Sequence, residues 1–218
     1  MDDLSQLAFG FANGSITVVR GDLIHDKGTK QRIIYESEEP ITGVEINFDS
    51  KLTTLFVVTT SRFLKLVISG KGQGQPPKTV EDSGCAVGCM TVDKRTGEIV
   101  IGRDDAIYYY TIDGRGPPRA YETPKSLLST YSTYVAVVAP PANTPMGDSD
   151  KIRRRFGADT LFTSSTFTLL ETDLRLIAHS ESLITQVRAI FQIWGDLFTL
   201  TQNGKVRKFP AAMDLFSG

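Results

Sequence analysis

Leu7-Ala-Phe-Gly-Phe-Ala-Asn-Gly-Ser-Ile-Thr-Val-Val19 is the stretch that decides the fold. It consists of two short apolar strands joined at Asn13-Gly14, and Asn-Gly predicts a type I′ turn because it accepts positive φ at both central positions. The same hairpin pattern returns four more times. The later hairpins are Thr54–Ile68, turning at Ser61-Arg62; Glu98–Ile112, turning at Asp104-Asp105; Tyr134–Ala139 with Thr160–Leu170; and Asp196–Phe209, turning at Asn203-Gly204.

Each later hairpin is preceded by one further alternating strand, and shorter strands follow the hairpins. The leading strands are Ile41–Phe48, Gly88–Val92, Lys125–Tyr131 and Thr185–Trp194. The trailing strands are Gln31–Tyr35, Lys78–Val80, Pro118–Tyr121 and Leu174–His179. In the first leading strand the apolar residues Ile41, Val44, Ile46 and Phe48 fall largely on one face. A repeat of roughly 40–45 residues that holds four antiparallel strands is typical of a β-propeller blade.

The first unit lacks its leading strand and the last ends after three strands. The sequence therefore predicts an all-β, WD40-like β-propeller that is incomplete, with about three full four-stranded blades and two partial blades. An open fan of blades leaves apolar faces and strand edges uncovered, which predicts a piece of a larger propeller, truncated at both ends. We expect the partial propeller over residues 1–210, with a flexible insertion at 140–159 and an unrelated or disordered tail at 211–218.

Composition restricts the class of protein. The chain has 218 residues, of which 40% are hydrophobic and 22% charged, as in a soluble globular domain. Its net charge of −1 offers no bulk attraction to nucleic acid or to an anionic membrane. The acidic start lacks the basic and apolar regions of a signal peptide, and no apolar run is long enough to span a bilayer. Two cysteines exclude a disulfide scaffold, so a cytosolic location is expected.

No residue set predicts a catalytic, cofactor or metal site. Cys85 and Cys89 have C-x3-C spacing, but structural zinc needs four ligands, and His25 and His179 are far away in the sequence. Buried cysteines that pack as small apolar residues are the favoured interpretation. With only these two histidines, a Ser-His-Asp triad has no support.

Gly70-Lys-Gly-Gln-Gly-Gln75 follows a strand as a phosphate-binding loop would, but Pro76-Pro77 comes where such a loop needs a helix N-terminus. It is predicted to be a mobile loop. Asp104-Asp105 and Asp113-Gly114 are predicted to lie at turns, where Asp bonds its own backbone.

The remaining charged and aromatic runs have structural interpretations. Glu36, Glu38 and Glu39 are expected to form a solvated connector. Arg153–Arg155 is expected in a solvated loop, since three charges at about 1 kcal/mol each attract an anionic membrane only weakly. Trp194 and the Tyr108–Tyr110 run are expected to pack in the core.

Six strings of sequence carry a resemblance to a known family. They are Gly10-Phe-Ala-Asn-Gly-Ser-Ile-Thr-Val-Val-Arg-Gly-Asp-Leu-Ile-His25, Glu36-Ser-Glu-Glu-Pro-Ile-Thr-Gly-Val-Glu45, Gly70-Lys-Gly-Gln-Gly-Gln75, Gly84-Cys-Ala-Val-Gly-Cys-Met-Thr-Val-Asp93, Arg103-Asp-Asp-Ala-Ile-Tyr108 and Ile177-Ala-His-Ser-Glu-Ser182. Together they resemble the N-terminal propeller of the vacuolar protein sorting-associated protein eleven family, of fungal type. The similarity runs from about Leu7 to about Val206.

The resemblance implies a non-catalytic interaction scaffold. Members of that family are core subunits of the class C tethering complexes HOPS and CORVET, in which a propeller precedes an α-solenoid and a RING-type zinc domain. The implied partners are the other tether subunits, and the implied location is the cytosolic face of endosome and vacuole membranes, reached through those partners. No solenoid or zinc-ligand cluster follows here, which leaves a truncated gene product as a hypothesis.

Two other function classes stay open. A propeller enzyme with a central-channel site would need carboxylates or histidines from several blades to converge. A nucleic-acid-binding propeller would need a basic stripe on one face, which the net charge disfavours.

Overall fold

The computed structural model describes residues 6–23, 25, 27–48, 53–68, 76–111, 114–140, 165–172, 177–183, 186–193 and 196–209. All regular structure in these ranges is β-strand, and no helix occurs in them. The chain divides into two compact units, Met1–Val87 and Gly88–Gly218. Each unit is a succession of antiparallel sheets that we call blades and number in chain order.

The first unit contains two blades. Its strands are β1 (Gln6–Gly10), β2 (Ser15–Asp22), β3 (Lys27–Glu36), β4 (Ile41–Phe48), β5 (Thr53–Thr59), β6 (Phe63–Ile68) and β7 (Lys78–Glu81). The sheet orders are β1-β2-β3 and β4-β5-β6-β7, so every strand pairs with its neighbour in sequence.

The second unit contains three blades. Its strands are β8 (Met90–Val92), β9 (Ile99–Gly102), β10 (Ala106–Thr111), β11 (Gly114–Arg115), β12 (Arg119–Ala120), β13 (Leu127–Tyr131), β14 (Tyr134–Ala139), β15 (Ser165–Glu171), β16 (Ile177–Leu183), β17 (Val187–Ile193), β18 (Asp196–Thr201) and β19 (Val206–Phe209). The third blade runs β8-β9-β10 with β11 and β12 on its outer side, the fourth runs β13-β14-β15-β16, and the fifth runs β17-β18-β19.

The predicted all-β fold of WD40-like propeller blades is confirmed. The five hairpins lie where the sequence places them, and each leading strand is the first strand of its own sheet. Blades two to four hold at least four strands each, while the first and last hold three. The last trailing strand is displaced, since Leu174–His179 was predicted and Ile177–Leu183 is observed. Most of the expected insertion at 140–159 and the tail at 211–218 lie outside the described residues.

The first hairpin turn is not the type I′ turn that Asn-Gly predicts. Among the described residues Ser132 is the only non-glycine residue with positive φ, so Asn13 does not adopt it, whereas Gly14 has φ of 86°. The Phe11 carbonyl accepts from Gly14 N at 3.0 Å, and Phe11 N donates to the Ser15 carbonyl at 3.0 Å. These bonds describe a type I turn followed by a left-handed glycine, a geometry that needs positive φ at one position instead of two.

The outer strand of the third blade is interrupted. The sequence predicts one strand over Pro118–Tyr121, but β11 pairs with Tyr110–Thr111, and β12 pairs separately with Ala106–Ile107. Pro117 and Pro118 lie between the two short strands and have no N–H with which to continue the ladder. Gly116 N still donates to the Tyr109 carbonyl at 2.8 Å, so the segment between the two short strands stays attached to β10.

The core of the first unit lies between its two blades. Alternation in β2 directs Ile16 and Val18 towards the second blade. The residues of the second blade that complete this core are Ile41, Leu55, Val57, Leu64, Leu66 and Ile68. Gly10 of β1 lies against this core so closely that a Cβ there would overlap the Ile41 side chain.

A β-bulge aligns the apolar residues of each long leading strand. Ile41 and Val44 are three residues apart, which in a regular strand would place them on opposite faces. A register shift between Ile41 and Gly43 brings both into the same core. The fifth blade uses the same device, because a shift between Val187 and Ala189 lets Val187 and Ile190 pack on one cluster.

The core of the second unit surrounds the fourth blade, whose central strand β14 is buried at every residue. Val135 and Val137 face the third blade and pack in a cluster with Ile107 and Tyr109. Tyr134, Ala136 and Val138 of the same strand face the fifth blade and pack in a second cluster. This two-sided burial explains why Tyr134–Ala139 is a continuous apolar run instead of an alternating one.

Candidate functional site

The segments that join successive blades lie against the hairpin turns, and in the first unit the linker 37–40 covers the first turn. Ser37 N donates to the Gly14 carbonyl at 3.0 Å, and Ile41 N donates to the Phe11 carbonyl at 3.1 Å. A Cβ on Gly14 would overlap the Ser37 carbonyl oxygen. The turn and the linker are therefore one packed unit.

Glu39 joins the same linker to the hairpin turn of the second blade. Its Oε2 accepts from Thr59 Oγ1 at 2.6 Å and from Ser61 N at 3.2 Å, while its Oε1 accepts from Ser61 Oγ at 2.7 Å. Hydrogen bonds from Ser61 and Thr59 hold the pKa of Glu39 below its ordinary value, with a smaller contribution from Arg62. The expectation of a solvated connector is wrong for Glu39, although Glu36 and Glu38 are exposed.

In the second unit, Lys125 joins the linker between the third and fourth blades to the hairpin turn of the third blade, and it is 1% exposed. Its ammonium donates to the carbonyls of Arg103 and Tyr121. It also lies 5.1 Å from the centroid of the Tyr121 ring, a distance at which a cation is attracted to the π-face. Sequence reasoning missed Lys125 as a buried group, since a single Lys before a strand carries no signal of burial.

Asp105 lies at the turn that the sequence predicts, yet its carboxylate binds a side chain. The Tyr108 hydroxyl donates to Asp105 Oδ2 at 2.5 Å, and the Arg103 guanidinium lies 4.4 Å from the Tyr108 ring centroid. The hydrogen bond lowers the pKa of Asp105 and raises that of Tyr108. The other two tyrosines of the run, Tyr109 and Tyr110, are buried, which confirms their predicted packing role.

Both cysteines are buried and outside any disulfide. Cys85 Sγ lies 3.9 Å from Thr42 Oγ1, and Cys89 Sγ donates to the Lys125 carbonyl at 3.2 Å. Within the described ranges no group of three or more His, Cys, Asp or Glu residues lies close enough together to hold a metal ion. The histidines instead lie beside single carboxylates, His25 at 2.9 Å from Asp22 and His179 at 3.9 Å from Glu181.

Several predicted features fall on residues that the structure does not describe. They are the loop Gly70–Gln75, Asp113, the Arg153–Arg155 run and Trp194. Among the described residues, no helix is long and apolar enough to cross a membrane.

The outer face of the first blade is an exposed apolar surface. Alternation on β1 places Leu7 and Phe9 opposite the side that packs on the second blade, and Phe9 is 45% exposed. Phe11, which follows the strand at the turn, is exposed as well. Phe9 pairs with Thr17, which is only 4% exposed, and Thr17 pairs with Ile33, which is exposed on the third strand of the sheet. We call these residues the first-blade face.

The fifth blade displays a comparable surface on the side that does not pack on the fourth blade. Phe191 and Phe198 pair across β17 and β18 with ring centroids 5.5 Å apart and an interplanar angle of 8°. Ile193 and Val206 lie at its margins, and Val206 is 58% exposed. We call these residues the fifth-blade face. Exposed apolar side chains grouped on one face are a feature of protein–protein interaction sites.

Comparison with solved structures shows the same fold at low sequence identity. BBS1N in its complex with ARL6DN matches 94% of this chain and 60% of its own, with a TM-score of 0.58 and 17% identity. BamB from Moraxella catarrhalis matches 95% of this chain and 55% of its own, with a TM-score of 0.54 and 13% identity.

Curated relatives are vacuolar protein sorting-associated protein 11 homologs. Those of Homo sapiens and Mus musculus are each 27% identical over 207 residues, covering 94% of this chain and 21% of their own length. The homolog of Dictyostelium discoideum is 28% identical and also covers 94% of this chain. The chain thus spans about a fifth of the length of the human and mouse relatives.

The profile of the family described as PEP5/VPS11 N-terminal matches residues 1–210, nearly the whole chain. This match includes all nineteen described strands, which end at Phe209. The resemblance drawn from the six sequence strings is thereby confirmed, and the chain belongs to the PEP5/VPS11 N-terminal family.

Proposed function

We propose that this chain is a non-catalytic interaction module of vacuolar protein sorting, acting within a membrane-tethering complex in transport from endosome to vacuole. The observation that carries the proposal is the family match over residues 1–210. The names of the curated relatives support the sorting role. The assignment to HOPS and CORVET is the finer part of the proposal.

The sequence predicts that neighbouring blades cover the terminal blade faces in a larger propeller, and we propose that in this chain a partner covers them instead. Phe9 and Phe11 of the first-blade face are exposed, while Phe191 and Phe198 of the fifth-blade face are half-buried, and aromatic residues supply much of the binding energy of protein interfaces. The partners proposed are the other class C tether subunits, with membrane association arising indirectly through them on the cytosolic face of endosomes and vacuoles. The partial propeller over residues 1–210 is proposed as the interacting unit.

The test is affinity purification of the tagged chain, and of its full-length relative, from cells that express the other class C subunits. We expect those subunits to co-purify, and we expect Phe9→Lys to reduce their recovery because it places a charge on the first-blade face. Lys30→Glu is the matched control, since Lys30 is exposed on β3 of the same blade. If neither the chain nor the full-length relative recovers any class C subunit, the proposal is wrong.

A further inference from the structure

A cavity of about 400 Å3 lies within the second unit, where the inner strands of its three blades end. The third blade contributes the turn Asp93–Arg95, the fourth contributes β13 and the turn residue Ser132, and the fifth contributes Gln192 of β17. The cavity is distinct from the first-blade and fifth-blade faces. Its walls carry hydroxyl, amide and charged groups, so it is suited to a polar ligand.

The floor of the cavity holds a buried carboxylate. Asp93 is 2% exposed, and its Oδ1 accepts from Arg95 N at 2.9 Å. Its Oδ2 accepts no hydrogen bond within the described part of the chain, but Arg95 Nη2 lies 3.6 Å away. A buried carboxylate oxygen retained without a hydrogen bond is costly, and the nearby guanidinium offsets that cost. Asp93 therefore draws Arg95 to the rim of the cavity and neutralises one positive charge.

Lys94 supplies a second positive charge on the cavity wall. It is exposed and forms no ion pair with a carboxylate of the described residues. Ser132 is exposed on the wall that the fourth blade contributes, and it has a φ of 50°, which is uncommon for a residue with a Cβ. Asp93, Lys94 and Arg95 together leave the cavity with one net positive charge.

The other polar groups of the cavity are structural. The Thr130 hydroxyl donates to the Val92 carbonyl at 2.6 Å, and the Gln192 amide donates to the Thr130 carbonyl. These bonds connect the three blades and fix the shape of the walls. Lys94 and Ser132 are exposed donors on the cavity wall, and Arg95 also lines the cavity while it is paired with Asp93. Donors of this kind recognise an anion.

We propose that this cavity binds the carboxylate of an acidic side chain from a partner's peptide segment. One net positive charge matches the single charge of a carboxylate, whereas a phosphate group carries about −1.5 to −2 charges and exceeds it. The volume exceeds what one carboxylate fills, so neighbouring residues of the same segment also enter. This inference does not depend on the proposed role in vacuolar sorting.

The test uses the whole chain and fluorescein-labelled peptides of alternating Gly and Glu, with Gly and Gln as the comparison, followed by fluorescence anisotropy at low salt. We expect the Glu peptide to bind at least several-fold more tightly than the Gln peptide. Lys94→Gln should weaken the binding of the Glu peptide about tenfold, because it removes a charge-assisted hydrogen bond. Lys205→Gln is the matched control, since Lys205 is exposed in the second unit and does not line the cavity.

Asp93→Asn gives an independent readout in the opposite direction. The amide oxygen still accepts from Arg95 N, but the charge that offsets Arg95 is lost, so binding of the Glu peptide should strengthen. The proposal is wrong if the Glu and Gln peptides bind equally. It is also wrong if Lys94→Gln unfolds in urea as the parent does and still binds the Glu peptide as tightly as the parent. Stronger binding of a phosphopeptide or of phosphatidylserine vesicles would overturn the assignment of the ligand. If the affinity purification recovers no class C subunit while the Glu peptide still binds, only the proposed function is contradicted.

Discussion

The first and last hairpins of the chain turn at the same dipeptide, Asn13-Gly14 and Asn203-Gly204, and adopt the same turn. Gly14 and Gly204 have φ of 86° and 78°. In each turn the glycine N donates to the carbonyl three residues earlier at 3.0 Å, to Phe11 in the first and to Thr201 in the second. Local residues thus determine turn geometry in two different units of the chain.

The surroundings of the two turns differ. Linker 37–40 covers Gly14, and a Cβ there would overlap backbone atoms of Ser37. At Gly204 no atom of the described residues lies within 4 Å of the corresponding point. The same two residues therefore form a packed junction in one place and an exposed loop tip in the other. Local residues therefore determine the shape of each turn, whereas its tolerance to substitution depends on the tertiary neighbours.

The largest expected effect separates the two turns directly. Gly14→Ala should lower the free energy of unfolding by about 4 kcal/mol, because strain at positive φ adds to displacement of the linker. Gly204→Ala should cost about 1 kcal/mol, the strain at positive φ alone. Urea unfolding monitored by circular dichroism measures both. Equal losses for the two variants would show that the linker yields and that packing at Gly14 is unimportant.

Replacement of Lys125 tests whether a side chain fastens a linker to a turn as firmly as backbone contact does. Lys125→Met keeps most of the apolar stem but leaves the carbonyls of Arg103 and Tyr121 without the ammonium. We expect a loss of about 2 kcal/mol in the free energy of unfolding, since two charge-assisted bonds outweigh the desolvation regained. Lys205→Met, on an exposed side chain, should change stability by less than about 0.5 kcal/mol. If Lys125→Met is more stable than the parent, the cost of desolvating the buried ammonium exceeds the free energy of its two hydrogen bonds.

The smallest effect concerns Glu39, whose linker also covers Gly14. Glu39→Gln should cost about 1 kcal/mol at neutral pH because the carboxylate accepts bonds from Thr59 and Ser61. The folded-state pKa lies below the ordinary 4.5, so this contribution is present above that pH and is lost as pH falls through the folded-state pKa. Unfolding measured at pH 7 and pH 3 should therefore show a smaller difference between parent and variant at pH 3. Glu38→Gln, on an exposed side chain, should show no such dependence.

The sequence predicts the strands well because each signal is local. Alternation and β-rich runs locate the five hairpins, and the Asn-Gly, Ser-Arg and Asp-Asp pairs locate three kinds of turn. The continuous run Tyr134–Ala139 even indicates burial on both faces. The split of the outer strand in the third blade could also have been predicted, since Pro117 and Pro118 cannot continue a ladder.

The contacts between linkers and turns could not be predicted in the same way. Glu39 and Lys125 each stand two residues before a leading strand, and neither differs in the sequence from an ordinary surface charge. Their partners lie 20 and 22 residues away in the chain, at Thr59 and Arg103. Only the packing of one blade against its linker brings these groups together. The Asp93 cavity, which draws on three blades, was missed for the same reason.

The interruption at Gly116–Pro118 has a consequence for how the third blade meets other molecules. A continuous outermost strand offers a row of amide donors to which any extended polypeptide can bond, and this leads to fibrous self-association. Here two consecutive imino acids break that row at its middle. The outer edge of the third blade therefore does not offer a continuous row of backbone hydrogen-bond donors to an added strand. A protein that binds there has to recognise side chains.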